Sequence, residues 1–146
     1  MGRRLFLLAA ILAGIPGRSG ADEGGNRIEV SIESLHSDRG QVLCALQPQG
    51  THSAAAPLTA RGMRTTIERG KARCVFDNVS PGSYVVGVIH DENGNGKLDT
   101  NFLGIPREGV GVSRDAKGIL GPPRMSDATF AYSGGVLTLV VHVRYL

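Results

Sequence analysis

The residues able to do chemistry concentrate in one stretch, His90-Asp91-Glu92-Asn93-Gly94-Asn95-Gly96-Lys97-Leu98-Asp99. Oxygen-bearing side chains fall at Asp91, Asn93, Asn95 and Asp99, and Gly96 follows the third of them. This is most of the Asp-x-Asn-x-Asn-Gly pattern of a calcium loop. A hard cation takes about six to eight oxygens, and alternate residues of a tight loop can turn theirs toward one centre. Gly96 permits the sharp turn, and Lys97 offers only its backbone carbonyl. Asp91, Asn93, Asn95, Lys97 and Asp99 are therefore the candidate ligands of a calcium ion. The twelfth place, which holds a bidentate glutamate in helix-loop-helix calcium sites, is Phe102; Asn101 or Glu108 could substitute. The competing reading is a turn without metal, because Asn93-Gly94 and Asn95-Gly96 are strong formers of type I′ turns.

A catalytic reading has less to stand on. His90 beside Asp91, with Glu108 downstream, supplies an acid and a base for a hydrolase-type enzyme. Neighbours on a strand point to opposite faces, which disfavours His90 with Asp91 as a working pair. The chain has no Gly-x-Ser-x-Gly, His-Glu-x-x-His or Ser-x-x-Lys motif, so no reaction class is fixed, and the expectation is a protein that is not an enzyme. His36, His52 and His142 read as surface or capping residues, since zinc would need three or four ligands to converge.

The elements that must position the loop begin after a leader. Arg3 and Arg4 precede an apolar run from Leu5 to Ile15, and Ser19-Gly20-Ala21 is a small-residue cleavage site. These are the three parts of a secretory signal peptide, so residues 1–21 are expected to be removed, leaving one domain over residues 22–146. The apolar run is too short to span a bilayer. The whole chain has a formal net charge of +3 and a pI near 9.2. Without Arg3, Arg4 and Arg18, thirteen basic residues face thirteen acidic ones. The basic residues are scattered, which excludes a nucleic-acid binder with a clustered basic face, and nothing anchors the mature chain in a membrane. Cys44 and Cys74 are an even pair in a chain bound for an oxidising compartment, periplasm or medium, and read as one disulfide.

Ile28, Val30 and Ile32 alternate with polar residues as a half-buried strand. Val42 to Leu46 follows a Ser37–Gly40 turn, and the two strands read as a hairpin. Residues 48–62 read as a loop, Met63 to Ile67 as a short edge strand, and Ala72 to Phe76 as another strand. Pro81-Gly82 reads as a type II turn with Gly82 at its positive-φ position. Tyr84 to Ile89 is apolar on both faces, as a central strand is, and it ends at the candidate loop. Asp99 to Asp127 shows little periodicity and carries Pro106, Pro122 and Pro123; a stretch of that length is usually functional or tied down. Ala128 to Tyr132, a Ser133-Gly134-Gly135 hairpin turn and Val136 to Leu146 close the chain. The sum is all-β: a single antiparallel β-sandwich of about seven strands.

The run from His90 to Asn101, with Gly104-Ile105-Pro106-Arg107-Glu108-Gly109, Pro81-Gly82-Ser83-Tyr84 and Asp127-Ala128, resembles the signature of the bacterial domain-of-unknown-function family 2141. The resemblance extends over essentially the whole mature chain. It implies a small exported protein and carries no reaction with it. The Pro81-Gly82-Ser83-Tyr84 corner is also similar to that of transthyretin-like and carboxypeptidase-regulatory-like modules, so the sandwich is expected to be immunoglobulin-like or transthyretin-like. The Asp91–Asp99 loop is similar to calcium loops of bacterial surface B-type repeat domains. The expected function is thus an exported, non-enzymatic sandwich whose calcium loop orders the adjoining surface for a ligand or an envelope protein. The alternative is a purely structural envelope protein with a metal-free turn.

Overall fold

A computed structural model describes residues 25–49, 61–119 and 121–146. The expected signal peptide, most of the expected 48–62 loop and His52 lie outside the described residues. Eight strands run in order: β1 Arg27–Glu33, β2 Gln41–Pro48, β3 Gly62–Thr65, β4 Ala72–Asp77, β5 Gly82–Asp91, β6 Gly109–Val112, β7 Phe130–Tyr132 and β8 Val136–His142. The helical parts are one turn, α1, at Met125–Ala128 and a short 3-10 turn at Ser113–Asp115. The chain is nearly all β. One sheet has the order β4-β1-β8; the other runs β3-β2-β5-β6, with β7 also paired to β5.

The two sheets share one core. Ile28, Val30 and Ile32 from β1, Cys74 and Phe76 from β4 and Val141 from β8 meet Val42, Cys44 and Leu46 from β2 and Val86 and Val88 from β5. The expected Cys44–Cys74 disulfide is present and ties β2 to β4 across that core, with 6.6 Å between its Cα atoms. Strand β5 is central, paired with β2 on one side and with β6 and β7 on the other. Tyr84 closes the corner at its start by donating its hydroxyl to the Ser80 carbonyl at 2.7 Å.

Four expectations are corrected. The sandwich is not purely antiparallel, because β1 and β8 pair in parallel, from Arg27 opposite Val136 to Glu33 opposite His142. Strands so far apart in sequence have chain enough for the crossover that parallel pairing requires. Nor do β1 and β2 form a hairpin: β1 lies in one sheet and β2 in the other. The link bends at Ser34, with φ 64, and at Gly40, with φ 73. A Cβ on Gly40 would stand 2.1 Å from the Asp91 carbonyl oxygen, so the crossing is pressed against the end of β5. Gly134-Gly135 likewise passes the chain between sheets instead of closing a hairpin. Gly135 N–H donates to Asn26 Oδ1 at 3.0 Å, and Arg27 N–H to the Gly135 carbonyl at 2.8 Å, so the turn is fastened to the head of β1. Finally, Gly82 is an ordinary strand residue, and the left-handed residue near that corner is Asn78, with φ 55.

Strand β6 has no counterpart in the sequence reading. Gly109 and Gly111 sit where Val143, Tyr145 and Val141 cross, and a Cβ there would fall 2.5–2.7 Å from those side chains. Val110 and Arg144 exchange backbone hydrogen bonds at 2.8 Å, which joins β6 to the tail beyond β8. This closure fixes Glu108, one residue before β6, against the end of β5.

Candidate metal centre at the end of strand β5

Strand β5 ends in two fully buried polar residues, His90 and Asp91. Alternation sends them to opposite sides. The imidazole Nε2 of His90 lies 2.8 Å from the Arg39 carbonyl, which can only accept, so Nε2 carries the proton. Its Nδ1 then accepts from the Tyr145 hydroxyl at 2.6 Å, and the phenol oxygen in turn accepts the His36 N–H at 3.2 Å. Burial raises the Tyr145 pKa and keeps the phenol protonated for that role. His90 therefore bonds neither Asp91 nor Glu108, and the acid–base pair read from the sequence is not assembled.

Asp91 turns into its own loop. Its Oδ2 accepts from Gln41 Nε2 at 2.6 Å and Gly96 N–H at 2.8 Å, and its Oδ1 accepts from Asn95 N–H at 3.1 Å. Burial pushes its pKa up, but those hydrogen bonds outweigh it and hold the carboxyl below the ordinary aspartate value. Gly94 and Gly96, with φ 71 and 78, supply the left-handed turns that bring the amides round. Asn93 Oδ1 accepts the Asn95 N–H and Asn95 Oδ1 accepts the Lys97 N–H, each at 3.1 Å. The amide groups of both asparagines reach the Asp99 carboxylate, Asn93 at 2.5 Å and Asn95 at 2.8 and 2.9 Å.

Of the five candidate ligands, Asn93, Asn95 and Asp99 thus meet through the asparagine NH2 groups, which donate to the Asp99 carboxylate while the asparagine oxygens accept backbone N–H groups of the loop. The Asp91 carboxylate faces the backbone amides of the loop, and Lys97 enters through its N–H.

Glu108 completes the wall. It is 5% exposed, and its Oε2 accepts the Asp99 N–H at 3.1 Å. Its Oε1 is the one buried side-chain oxygen or nitrogen among the described residues without a hydrogen-bond partner. Glu108 lines an open pocket of about 370 Å³ together with Glu92, Asn93, Asp99, Thr100 and Arg107. Three carboxylates and an amide therefore border one space. Glu92 Oε1 is already bound by His36 Nε2 at 2.7 Å and Ser37 Oγ at 2.9 Å. The His36 hydrogen bond, against the opposing effect of burial, lowers the Glu92 pKa. Asn101, the other substitute for the twelfth-place acid, instead caps the next turn: its Oδ1 accepts the Leu103 and Ile105 N–H groups at 2.9 and 3.0 Å.

Sequence reading missed the role of Glu92 and the meeting of His36 with His90. Ligand atoms of His36, His90 and Glu92 lie within 4.8 Å of one another, and the His36 ring stacks on Tyr145 with centroids 3.7 Å apart. Both ring nitrogens of His90 are engaged, so the trio is a satisfied hydrogen-bond network and not an open transition-metal site. No sequence spacing announces it, because His36, Glu92 and Tyr145 come from three separate segments.

Residues 30–139 match the model of a family described as an uncharacterized protein conserved in bacteria, DUF2141. The chain belongs to that family. The matched segment contains the loop, Glu108 and both ends of the disulfide. No curated protein and no solved structure matches the chain. Membership in DUF2141 accordingly brings no activity with it, and the site must be read from its own chemistry.

Proposed function

We propose that this protein is an exported, non-enzymatic β-sandwich that takes up calcium in the pocket between the Asp91–Asp99 loop and Glu108, and that the ion orders the adjoining surface for a ligand or partner. The observation that carries the reading is the unpartnered Oε1 of Glu108. A buried carboxylate oxygen without a donor costs about 1–3 kcal/mol or more, and a cation among Glu108, Asp99 and Glu92 would offset that cost. The donors are hard oxygens, which favour calcium over zinc or copper. Asp99 and Glu108 carry the charge, Asn93 and Asn95 give their oxygens once these turn from the Asn95 and Lys97 N–H groups to the ion, the Lys97 carbonyl is a further neutral donor, and Asp91 holds the loop in shape. Few carboxylates and an open pocket favour weak binding, with Kd of about 10⁻⁴–10⁻³ M, suited to an extracellular module. The disulfide and the leader sequence support export.

A second reading, a metal-free structural turn, is favoured by the asparagine amides already bound to Asp99. Thermal melting separates the two. Millimolar calcium should raise the melting temperature by a few degrees relative to chelator, and Asp99→Asn and Glu108→Gln should each remove the rise. An unchanged melting temperature would leave only the structural turn.

A further inference from the structure

Beyond the pocket, residues 100–106 form a loop that exposes three large apolar side chains. Phe102 is 95% exposed, Leu103 68% and Ile105 43%. The loop is held in this shape: Asn101 N–H donates to the Ile105 carbonyl at 2.9 Å, Gly104 N–H to the Asn101 carbonyl at 3.0 Å, and Thr100 bridges to Pro106. At its base Arg107 N–H donates to the Asp99 carbonyl at 2.9 Å. Phe102 is two residues beyond the pocket residue Thr100, and Ile105 two before Arg107.

We propose that this tip docks on an anionic phospholipid surface: Phe102, Leu103 and Ile105 enter the headgroup–acyl boundary, and a calcium ion held by Asp99 and Glu108 bridges to lipid phosphate oxygens. The inference rests on the calcium reading above. The pocket is open on one side, which leaves coordination places for oxygens from outside. Arg107 on the same wall adds a positive charge beside the phosphate. A bilayer suits this shape better than a protein does. A stable protein interface needs roughly 800 Å² per partner, more than three side chains of one short loop present, whereas a membrane interface accepts a few apolar side chains without a matching surface. The contact is peripheral and reversible; no helix among the described residues is long and apolar enough to cross a membrane.

The test is co-sedimentation of the protein, as recovered after export, with vesicles of phosphatidylcholine and phosphatidylglycerol, alongside melting curves with calcium and with chelator. The expected result is vesicle binding with calcium, its loss with chelator, and a decrease of about ten-fold or more in the Phe102→Ser/Leu103→Ser double variant. That variant changes only exposed side chains and should keep the calcium-dependent melting shift. Asp99→Asn should lose both. A melting shift without vesicle binding overturns the lipid proposal and leaves the calcium site standing. So does a tip variant that binds like the parent, equal binding to pure phosphatidylcholine, or self-association that the tip variant abolishes. Absence of the melting shift overturns the calcium reading and this inference with it.

Discussion

Asp91 and Glu108 are both carboxylates withdrawn from water, and the chain treats them oppositely. Three donors serve Asp91, whereas one oxygen of Glu108 has none. Removing each should therefore change stability in opposite directions. Asp91→Ala strands the Gln41 amide and the Asn95 and Gly96 N–H groups and should cost about 2–4 kcal/mol in chemical denaturation. Glu108→Gln removes a poorly served charge and should leave the calcium-free protein unchanged or about 1 kcal/mol more stable. The pH dependence follows from the lowered Asp91 pKa. Its contribution is complete above the unfolded-state value near 3.8 and is lost as pH falls through the still lower folded value. Denaturation midpoints of the parent and Asp91→Asn should differ by a constant amount above about pH 5 and converge below about pH 4. A gap that persists into acid would contradict the assignment of Asp91 as the loop's ionised anchor.

The elements were legible where one face is buried and the other wet. Ile28, Val30 and Ile32 announce β1, and Val85 to Ile89 announce β5, because alternation and continuous apolarity report burial directly. Pairing was not legible in the same way. The turns at Ser37–Gly40 and Ser133–Gly135 look like hairpin turns, yet their backbone groups are set against other segments, Asp91 in one case and Asn26 in the other. Strand β6 was hidden because its glycines make room for Val141, Val143 and Tyr145 where an alternating strand would present side chains. Gly109→Ala should accordingly cost about 1–3 kcal/mol by overpacking. Because Gly109 adjoins Glu108, the same change should also displace that carboxylate and weaken calcium binding. Of the site itself, the loop and Glu108 could be named from the sequence. Which carboxylate faces the pocket and which faces the loop's amides depends on the left-handed turns at Gly94 and Gly96, and that cannot be counted from spacing.

At the scale of the molecule, non-local ties dominate. Strand β8 lies along β1 from the far end of the chain, β6 clasps the tail at Arg144, and the disulfide joins one sheet to the other. The bridge closes a loop of 30 residues, so the Cys44→Ala/Cys74→Ala variant should lose about 3–4 kcal/mol of stability in denaturant unfolding. The core that the two sheets share thus holds the end of β5 still, and the pocket inherits that rigidity. Whether that pocket takes up calcium is decided by calorimetric titration of the protein with the ion, set beside Glu108→Gln. The parent should bind one ion with Kd of about 10⁻⁴–10⁻³ M, and Glu108→Gln should bind at least about ten-fold more weakly. No heat of binding at millimolar calcium, or equal binding by Glu108→Gln, would contradict a calcium site at Glu108.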